Sequence, residues 1–159
     1  MAELATARWP VPALVAWARD ARFLGEGGVR QRRATDCGPA ALTEALRCLG
    51  MDVPYPDPEG GIALGPRGCG LDDLERAAAR RGAVARMRRL DPPELDGVRA
   101  PAVLHLREGH FVVFEGRGPS GGVLIVDPSL GRLEQSSRNL ARHWSGWVLE
   151  LSLPERRNP

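Results

Sequence analysis

The spacing of apolar residues changes once along this chain, near residue 83, and that change restricts the possible folds most. Before it, apolar residues recur every three to four positions, which predicts helices over residues 11–24, 37–50 and 71–82. After it, short apolar runs separated by turn residues predict strands, apart from a late helical segment at 137–144. Helices followed by closely connected strands predict an α+β domain with an antiparallel sheet.

The remaining pattern fits one domain. A chain of 159 residues that is 43% hydrophobic can bury a core of its own. We therefore expect a single domain over 1–159, with residues 1–27 as an N-terminal helical extension. The Pro- and Gly-rich segment 51–69 predicts an irregular loop, long enough to suspect a functional rim. Strands are predicted at residues 84–90, 100–106, 110–117, 122–128, 132–136 and 147–153.

Composition excludes several classes of protein. Three cysteines at irregular spacing fit neither a disulfide framework nor a zinc site, so we expect no metal and no cofactor. An odd cysteine count favours a reducing compartment, and we expect the cytoplasm. A formal charge of +2 gives no reason to expect nucleic acid, and the arginine clusters at 30–33 and 86–89 are interpreted as solvated faces. No apolar run is long enough to span a membrane. Residues 11–18 match the pattern of a signal peptide only weakly, so we do not expect secretion.

Cys37 occupies the start of the second predicted helix. A thiol there lies at the positive end of the helix dipole, near free N–H groups, and both favour the nucleophilic thiolate. We expect the small residues Gly38 and Ala40 to let a substrate backbone come close. The alternative is that the cysteine is a small core residue, which is the interpretation we prefer for Cys48 and Cys69.

A reactive thiolate needs a base, and the chain has three histidines, at 105, 110 and 143. Only His110 is followed, after a predicted hairpin, by a carboxylate at the end of the neighbouring strand. Since adjacent antiparallel strands place the start of one beside the end of the next, His110 and Asp127 can be neighbours. The alternatives stay open at this point: His110 could be structural, and Asp127 could be a turn former before Pro128.

Three motifs in order give a more specific indication. The string Q-x5-C-G-x-A-A-L, then GHFVVF, then IVDPSLG resembles the bacteriocin-processing, double-glycine-type cysteine peptidases over about residues 28–150. These are papain-like domains, often fused to the N-terminus of peptide-exporting ABC transporters. The resemblance implies that Cys37 is the nucleophile, His110 the general base and Asp127 the residue orienting it. It also implies that Gln31 donates its side-chain amide to the oxyanion, together with the backbone N–H of Cys37.

The resemblance further implies cleavage of a leader peptide after a Gly-Gly pair. The partners that it implies are a leader-bearing precursor and a peptide-exporting ABC transporter, with this chain either a stand-alone peptidase or an excised domain. The segment 51–69 and the helix 71–82 are candidates for a groove that receives the leader helix. The role of the helix at 11–24 is left open, and the chain's own Gly27-Gly28 is interpreted as a turn.

Two other functions compete with leader cleavage. Relatives that have lost the cysteine only hold the transport substrate, so a binding module is one alternative. A papain-like amidase or acyltransferase is the other, because the same triad serves all of these reactions.

Overall fold

The computed structural model describes residues 11–57, 60–62, 64–66 and 68–156 of the chain. Residues 1–10 of the predicted extension therefore lie outside the described part. Four α-helices and one 3-10 helix occur there: α1 (Val11–Ala18), α2 (Cys37–Cys48), α3 (Leu71–Arg80), the 3-10 helix (Pro92–Gly97) and α4 (Ser137–His143).

The strands form one antiparallel sheet. Its spatial order is β1-β6-β5-β4-β3-β7-β2, and every pairing in it is antiparallel. The α+β prediction with an antiparallel sheet is thus confirmed. The seven strands of the described chain are β1 (Arg22–Gly25), β2 (Val84–Arg89), β3 (Ala102–Leu106), β4 (Phe111–Arg117), β5 (Val123–Asp127), β6 (Gly131–Gln135) and β7 (Trp144–Ser152).

Side chains from both faces of the sheet are buried. Because successive residues of a strand point to opposite faces, β3 places Val103 on one side and Leu104 on the other. The side of Val103 packs against α2 and α3, with Leu46 and Leu74 at the centre of the cluster. The side of Leu104 packs against Trp17 of α1 and Leu140 of α4. Helices therefore cover both faces, which explains why the central strands are apolar throughout.

The N-terminal segment differs from the prediction. The helix predicted to reach residue 24 ends at Ala18, and Arg22–Gly25 pairs with β6 as an edge strand of the sheet. A short segment with apolar residues can satisfy either period, and here the open edge of β6 supplies hydrogen bonds that decide the outcome. β7 also begins at Trp144, three residues before the predicted start.

Glycines end the helices and bend the chain where predicted. Gly50 and Gly82 follow α2 and α3 with φ of +85° and +84°, a conformation that glycine adopts without steric cost. Gly28 also has a positive φ, +78°, and a Cβ there would lie 2.3 Å from Cγ1 of Val126. The following N–H, that of Val29, donates to Oε2 of Glu44 at 3.0 Å. The chain is therefore tied to α2 directly after the bend at Gly27-Gly28.

The described residues of segment 51–69 contain no helix and no strand, only an isolated bridge between Gly65 and Gly68. Two contacts fix this loop to the end of α3. The Arg81 guanidinium pairs with the Asp57 carboxylate, and Nη1 of Arg80 donates to the carbonyl of Gly60 at 2.7 Å. The predicted irregular loop is thus present, and it is attached to the helix that follows it.

Candidate active site

Cys37 begins α2, and the segment before it is folded by one carboxylate. Asp36 accepts hydrogen bonds from the backbone N–H groups of Arg32 (3.1 Å) and Arg33 (2.8 Å), and the Tyr55 hydroxyl donates to it as well. These bonds turn the chain sharply just ahead of the helix. The Cys37 side chain is held at the helix N-terminus and is only 7% exposed.

His110 and Asp127 are neighbours, as the order of strands predicts. His110 immediately precedes β4, Asp127 ends β5, and these two strands pair directly. Nε2 of His110 lies 2.8 Å from Oδ1 of Asp127. The imidazole is 3% exposed and the carboxylate is fully buried, so water does not compete for this contact.

The His110 imidazolium and the Asp127 carboxylate stabilise each other's charge. Burial alone would lower the pKa of His110, but the Asp127 carboxylate and hydrogen bonds with Asp127 and Cys37 outweigh burial and raise this pKa to about 10. Burial alone would raise the pKa of Asp127, but His110 and hydrogen bonds from Ser129 outweigh it and lower this pKa. The favoured state is a buried imidazolium beside a carboxylate.

The Cys37 side chain lies near the imidazole of His110, and its influence is among the causes that raise the pKa of His110. Since Nε2 faces Asp127, Nδ1 is the ring nitrogen left for the thiol. An imidazole placed between a thiol and a carboxylate can exchange a proton with the sulfur while the carboxylate stabilises its positive charge.

Gln31 lies beside this chain of groups, but its amide has another partner. Its backbone N–H donates to the carbonyl of Pro128 at 3.0 Å, which fixes the loop next to the Asp127 turn. Its side-chain Nε2 donates to the carbonyl of Arg33 at 2.8 Å, and Oε1 is buried without a hydrogen-bond partner among the described residues. One of the two amide N–H bonds remains for an oxyanion, so the donor role stays a prediction.

The other two cysteines are poor nucleophiles. Burial, with the nearby Cys37 and the carboxylates of Asp73 and Asp72, raises the pKa of Cys69 to about 12. Partial burial and two carboxylates, Glu115 and Glu44, raise that of Cys48 to about 12 as well. Both side chains remain thiols at neutral pH.

Cys48 is not the core residue that we predicted. Its side chain is exposed, because it lies in the last turn of α2 on the side of Glu44, away from the apolar stripe. Cys69 is partly buried and packs against the core cluster around α2 and α3.

The expected role of Gly38 and Ala40 is also wrong. Both residues are buried inside the protein rather than facing an open cleft. A Cβ at Gly38 would lie 2.7 Å from Sγ of Cys69 and 3.3 Å from Cδ2 of Phe111. The glycine therefore lets neighbouring side chains of the protein pack against the start of α2.

Two partners of Asp127 were missed in the sequence. The backbone N–H and hydroxyl of Ser129 donate to Oδ1 at 2.8 and 2.6 Å, and Nε1 of Trp17 donates to Oδ2 at 2.9 Å. Ser129 could have been found, because an aspartate often accepts bonds from the second residue after it. Trp17 is 110 residues away in sequence, and no local pattern connects it to Asp127.

The other two histidines have separate surroundings. Nδ1 of His105 lies 2.9 Å from the Ser145 hydroxyl, and burial lowers its pKa. Nδ1 of His143 lies 3.8 Å from a carboxylate oxygen of Glu108.

One group of side chains has the composition of a metal site. Among the residues that the structure describes, only Glu44, Cys48 and Glu115 bring three candidate ligand atoms within 4.8 Å of one another. Two of these residues already have partners: Glu44 accepts from Val29 (3.0 Å), and Glu115 pairs with Arg132 (2.8 Å). The group is exposed at Cys48, and nothing in its surroundings indicates an ion.

An open cleft of about 470 Å³ adjoins the site. It includes Gly109, next to His110, and Cys69, which packs against the residue after Cys37. Its walls come from the start of α3 and from strands β2, β3, β4 and β7, and they are mainly apolar. The lining residues are Cys69, Gly70, Leu71, Asp72, Met87, His105, Gly109, Phe111 and Trp147.

Membrane-spanning helices were considered for the described part of the chain. None of its helices has the length and apolar character needed to cross a bilayer.

Comparison with known proteins identifies relatives of the chain. It is 28% identical over 123 residues to the probable microcin-H47 secretion/processing ATP-binding protein MchF of Escherichia coli; the match covers 77% of this chain but 18% of that protein. It is 29% identical over 129 residues to an uncharacterized protein of Methanothermobacter thermautotrophicus, covering 79% of this chain and 88% of the relative.

Solved structures share the fold. A double glycine motif protease from an AMS/PCAT transporter, solved with its leader peptide, superposes with a TM-score of 0.75 at 24% identity, covering 82% of this chain and 93% of that one. The peptidase domain of Streptococcus ComA, a bifunctional ABC transporter, superposes with a TM-score of 0.69 at 20% identity, covering 79% and 97%.

The family follows from the sequence itself. The sequence model of the peptidase C39 family matches residues 27–155, most of the chain and all three segments that supply Cys37, His110 and Asp127. The chain therefore belongs to the peptidase C39 family and is a papain-like cysteine peptidase.

Proposed function

We propose that this protein cleaves a leader peptide after a Gly-Gly pair, using Cys37 as nucleophile, His110 as general acid and base, and Asp127 to orient the imidazole. The observation that carries the proposal is the 2.8 Å contact between His110 and Asp127, with the Cys37 thiol on the same imidazole. Membership of the peptidase C39 family supports it. The relatives named for microcin processing and double-glycine cleavage support the substrate class.

The reaction proceeds in two steps. The thiolate of Cys37 attacks the carbonyl carbon of the second glycine, and a C–S bond forms while the negative charge moves to the oxygen. The oxyanion is stabilised by the backbone N–H of Cys37 and an amide N–H of Gln31. The imidazolium of His110 then gives its proton to the departing amine, and the C–N bond breaks. Water, deprotonated by His110, then attacks the thioester carbon; the C–S bond breaks, the leader leaves with a free carboxyl group, and the thiolate and imidazolium are restored.

Burial of the reactive groups explains a preference for glycine. Cys37 is 7% exposed and His110 is 3% exposed, so a substrate carbonyl reaches the sulfur only through a narrow approach. Two residues without Cβ atoms give the thinnest possible chain at that point. We therefore expect a side chain at either position to hinder the approach of the carbonyl to the sulfur.

The cleft beside His110 is our proposed site for the leader. It lies at the start of α3, one of the regions that the sequence suggested, and presents Leu71, Met87, Phe111 and Trp147. These apolar groups suit one face of an amphipathic helix. We propose that the precursor is presented in the cytoplasm, where a peptide-exporting ABC transporter would take the matured product.

The test uses a synthetic precursor. A peptide with an amphipathic leader helix, a Gly-Gly pair and a short core segment is incubated with the protein, and the products are weighed by mass spectrometry. We expect hydrolysis after the second glycine. Replacing either glycine by alanine should prevent cleavage, because the added Cβ blocks the approach to Cys37.

A matched pair of cysteine variants tests the nucleophile. Cys37→Ala should abolish cleavage, whereas Cys48→Ala should retain it, since Cys48 lies at the other end of α2, ~16 Å along the helix. Cleavage by Cys37→Ala would remove this residue from the mechanism. Tight binding without turnover by the wild type would favour the binding module, and a product joined to an amine would favour acyl transfer.

A further inference from the structure

The N-terminal helix reaches the reactive groups. Trp17, in the last turn of α1, lies outside the segment 27–155 that defines the family match. Its indole Nε1 donates to Oδ2 of Asp127 at 2.9 Å, and both side chains are fully buried. The bond is therefore shielded from bulk water in the folded protein.

The Asp127 carboxylate is held from both sides. Oδ1 accepts from Nε2 of His110 and from both the N–H and the hydroxyl of Ser129. Oδ2, the other oxygen, accepts from Trp17. Donors on both oxygens restrict rotation of the carboxylate about its Cβ–Cγ bond more than donors on one oxygen alone.

Trp17 is itself fixed by buried amides. Its backbone carbonyl accepts from Nε2 of Gln135 at 2.6 Å and from Nδ2 of Asn139 at 2.9 Å. Its ring makes an edge contact with His143, with the centroids 5.6 Å apart. The indole therefore has a defined position relative to the β5–β6 region that carries Asp127.

We propose that Trp17 is a positioning residue for the peptidase reaction, acting through Asp127. Its hydrogen bond to Oδ2 keeps Oδ1 within hydrogen-bond distance of Nε2 of His110. That contact in turn orients the imidazole so that its other nitrogen faces the Cys37 sulfur. This inference rests on the proposed roles of the three residues and extends them to the N-terminal helix, whose role the sequence left open.

The test measures the reactivity of Cys37 without any peptide substrate. The folded protein is treated with iodoacetamide at neutral pH, and alkylation of Cys37 is followed by peptide mass mapping. Trp17→Phe keeps an aromatic ring but removes the N–H donor. We expect alkylation of Cys37 to slow about tenfold, the order expected for one hydrogen bond to a charged group. In peptide cleavage, kcat should fall by a similar factor with KM unchanged.

A second tryptophan supplies the matched control. Nε1 of Trp144 donates to the carbonyl of Trp147 at 2.9 Å, and Trp144 is also buried. Trp144→Phe therefore removes an equivalent bond away from Asp127. Its thermal stability should fall comparably to that of Trp17→Phe, while the alkylation rate of its folded fraction should stay within about twofold of wild type.

The decisive comparison is made with Asp127→Asn. Because Trp17 acts through the carboxylate, adding Trp17→Phe to Asp127→Asn should change the alkylation rate by less than about twofold. An equal slowing in both backgrounds would mean a general structural effect and would overturn the inference. So would a Trp17→Phe variant that reacts like wild type while Asp127→Asn is slow, which would leave the proposed function intact.

Two further outcomes separate this inference from the proposed function. If neither Trp17→Phe nor Asp127→Asn slows alkylation, both the triad role of Asp127 and the positioning role of Trp17 are wrong. If the alkylation rates behave as expected but no Gly-Gly peptide is cleaved, Trp17 still positions the reactive groups and only the proposed substrate is wrong.

Discussion

At the scale of single residues, the chemistry open to the site depends on which side-chain atoms already have a hydrogen-bond partner. Nε2 of His110 is engaged by Asp127, which leaves the other ring nitrogen for Cys37. The same reasoning leaves one N–H of the Gln31 amide, because the other binds the Arg33 carbonyl. Residue types and spacing suggested Cys37, His110 and Asp127 with alternatives left open, and the family resemblance added Gln31. Neither predicted which of their atoms already have hydrogen-bond partners.

Gln31→Ala tests the remaining N–H. If this N–H stabilises the oxyanion, we expect kcat for the Gly-Gly peptide to fall about 100-fold or more, with KM nearly unchanged. Steady-state kinetics measure both. Arg33→Ala is the control, because it leaves the backbone carbonyl that holds the amide. An unchanged kcat for Gln31→Ala would restrict this residue to fixing its own loop.

At the scale of elements, the β4–β5 pair and the start of α2 assemble the reactive groups. The sequence predicted the hairpin and the helix because each has a clear apolar period and turn residues at its ends. It did not predict β1, since that strand depends on the edge of β6, more than 100 residues later. Nor did it predict the contact of α1 with Asp127, which only the packed structure brings together.

The attachment of α1 can be weakened without touching the triad. Asn139→Ala removes one of the two amides that bind the Trp17 carbonyl. We expect the free energy of unfolding to fall by about 1 kcal/mol, because Gln135 still satisfies that carbonyl. Urea unfolding measures this, and amide hydrogen exchange should accelerate in α1 more than in α2. Arg138→Ala is the adjacent control, and equal exchange in both helices would contradict the anchoring role.

At the scale of the whole molecule, three segments far apart in sequence meet where helix, sheet and turn converge. The order of helices and strands predicted this general arrangement correctly, and with it the proximity of His110 and Asp127. The exposure of individual side chains to solvent was harder to predict. Cys48 was expected in the core and lies on the surface, because the apolar stripe of α2 turns away from it over the last turn.

The buried imidazolium makes global stability depend on pH. The pKa of His110 is raised in the folded state to about 10, while the unfolded chain has an ordinary histidine value of about 6.5. The folded state therefore holds a proton that the unfolded state has lost between these pH values. The stabilisation is complete below about pH 6.5 and disappears as the pH rises through the folded value.

This dependence is best measured in Cys37→Ser, which removes the sulfur from the neighbourhood of the imidazole. We expect its free energy of unfolding to fall as the pH rises above about 6.5, by up to about 1.4 kcal/mol per pH unit. Chemical denaturation at several pH values provides the measurement. Adding Asp127→Asn should flatten the curve, and a curve that is already flat in Cys37→Ser would show that His110 is neutral.

The bend at Gly28 has a consequence for the protein's own survival. If the proposed Gly-Gly specificity holds, the chain carries a matching pair of its own at positions 27 and 28. The nitrogen that would depart on cleavage after this pair, that of Val29, donates to Glu44, and Val29 itself is buried. We therefore expect the folded protein to resist cleavage at this bond by another copy, since the bond to Glu44 would first have to break.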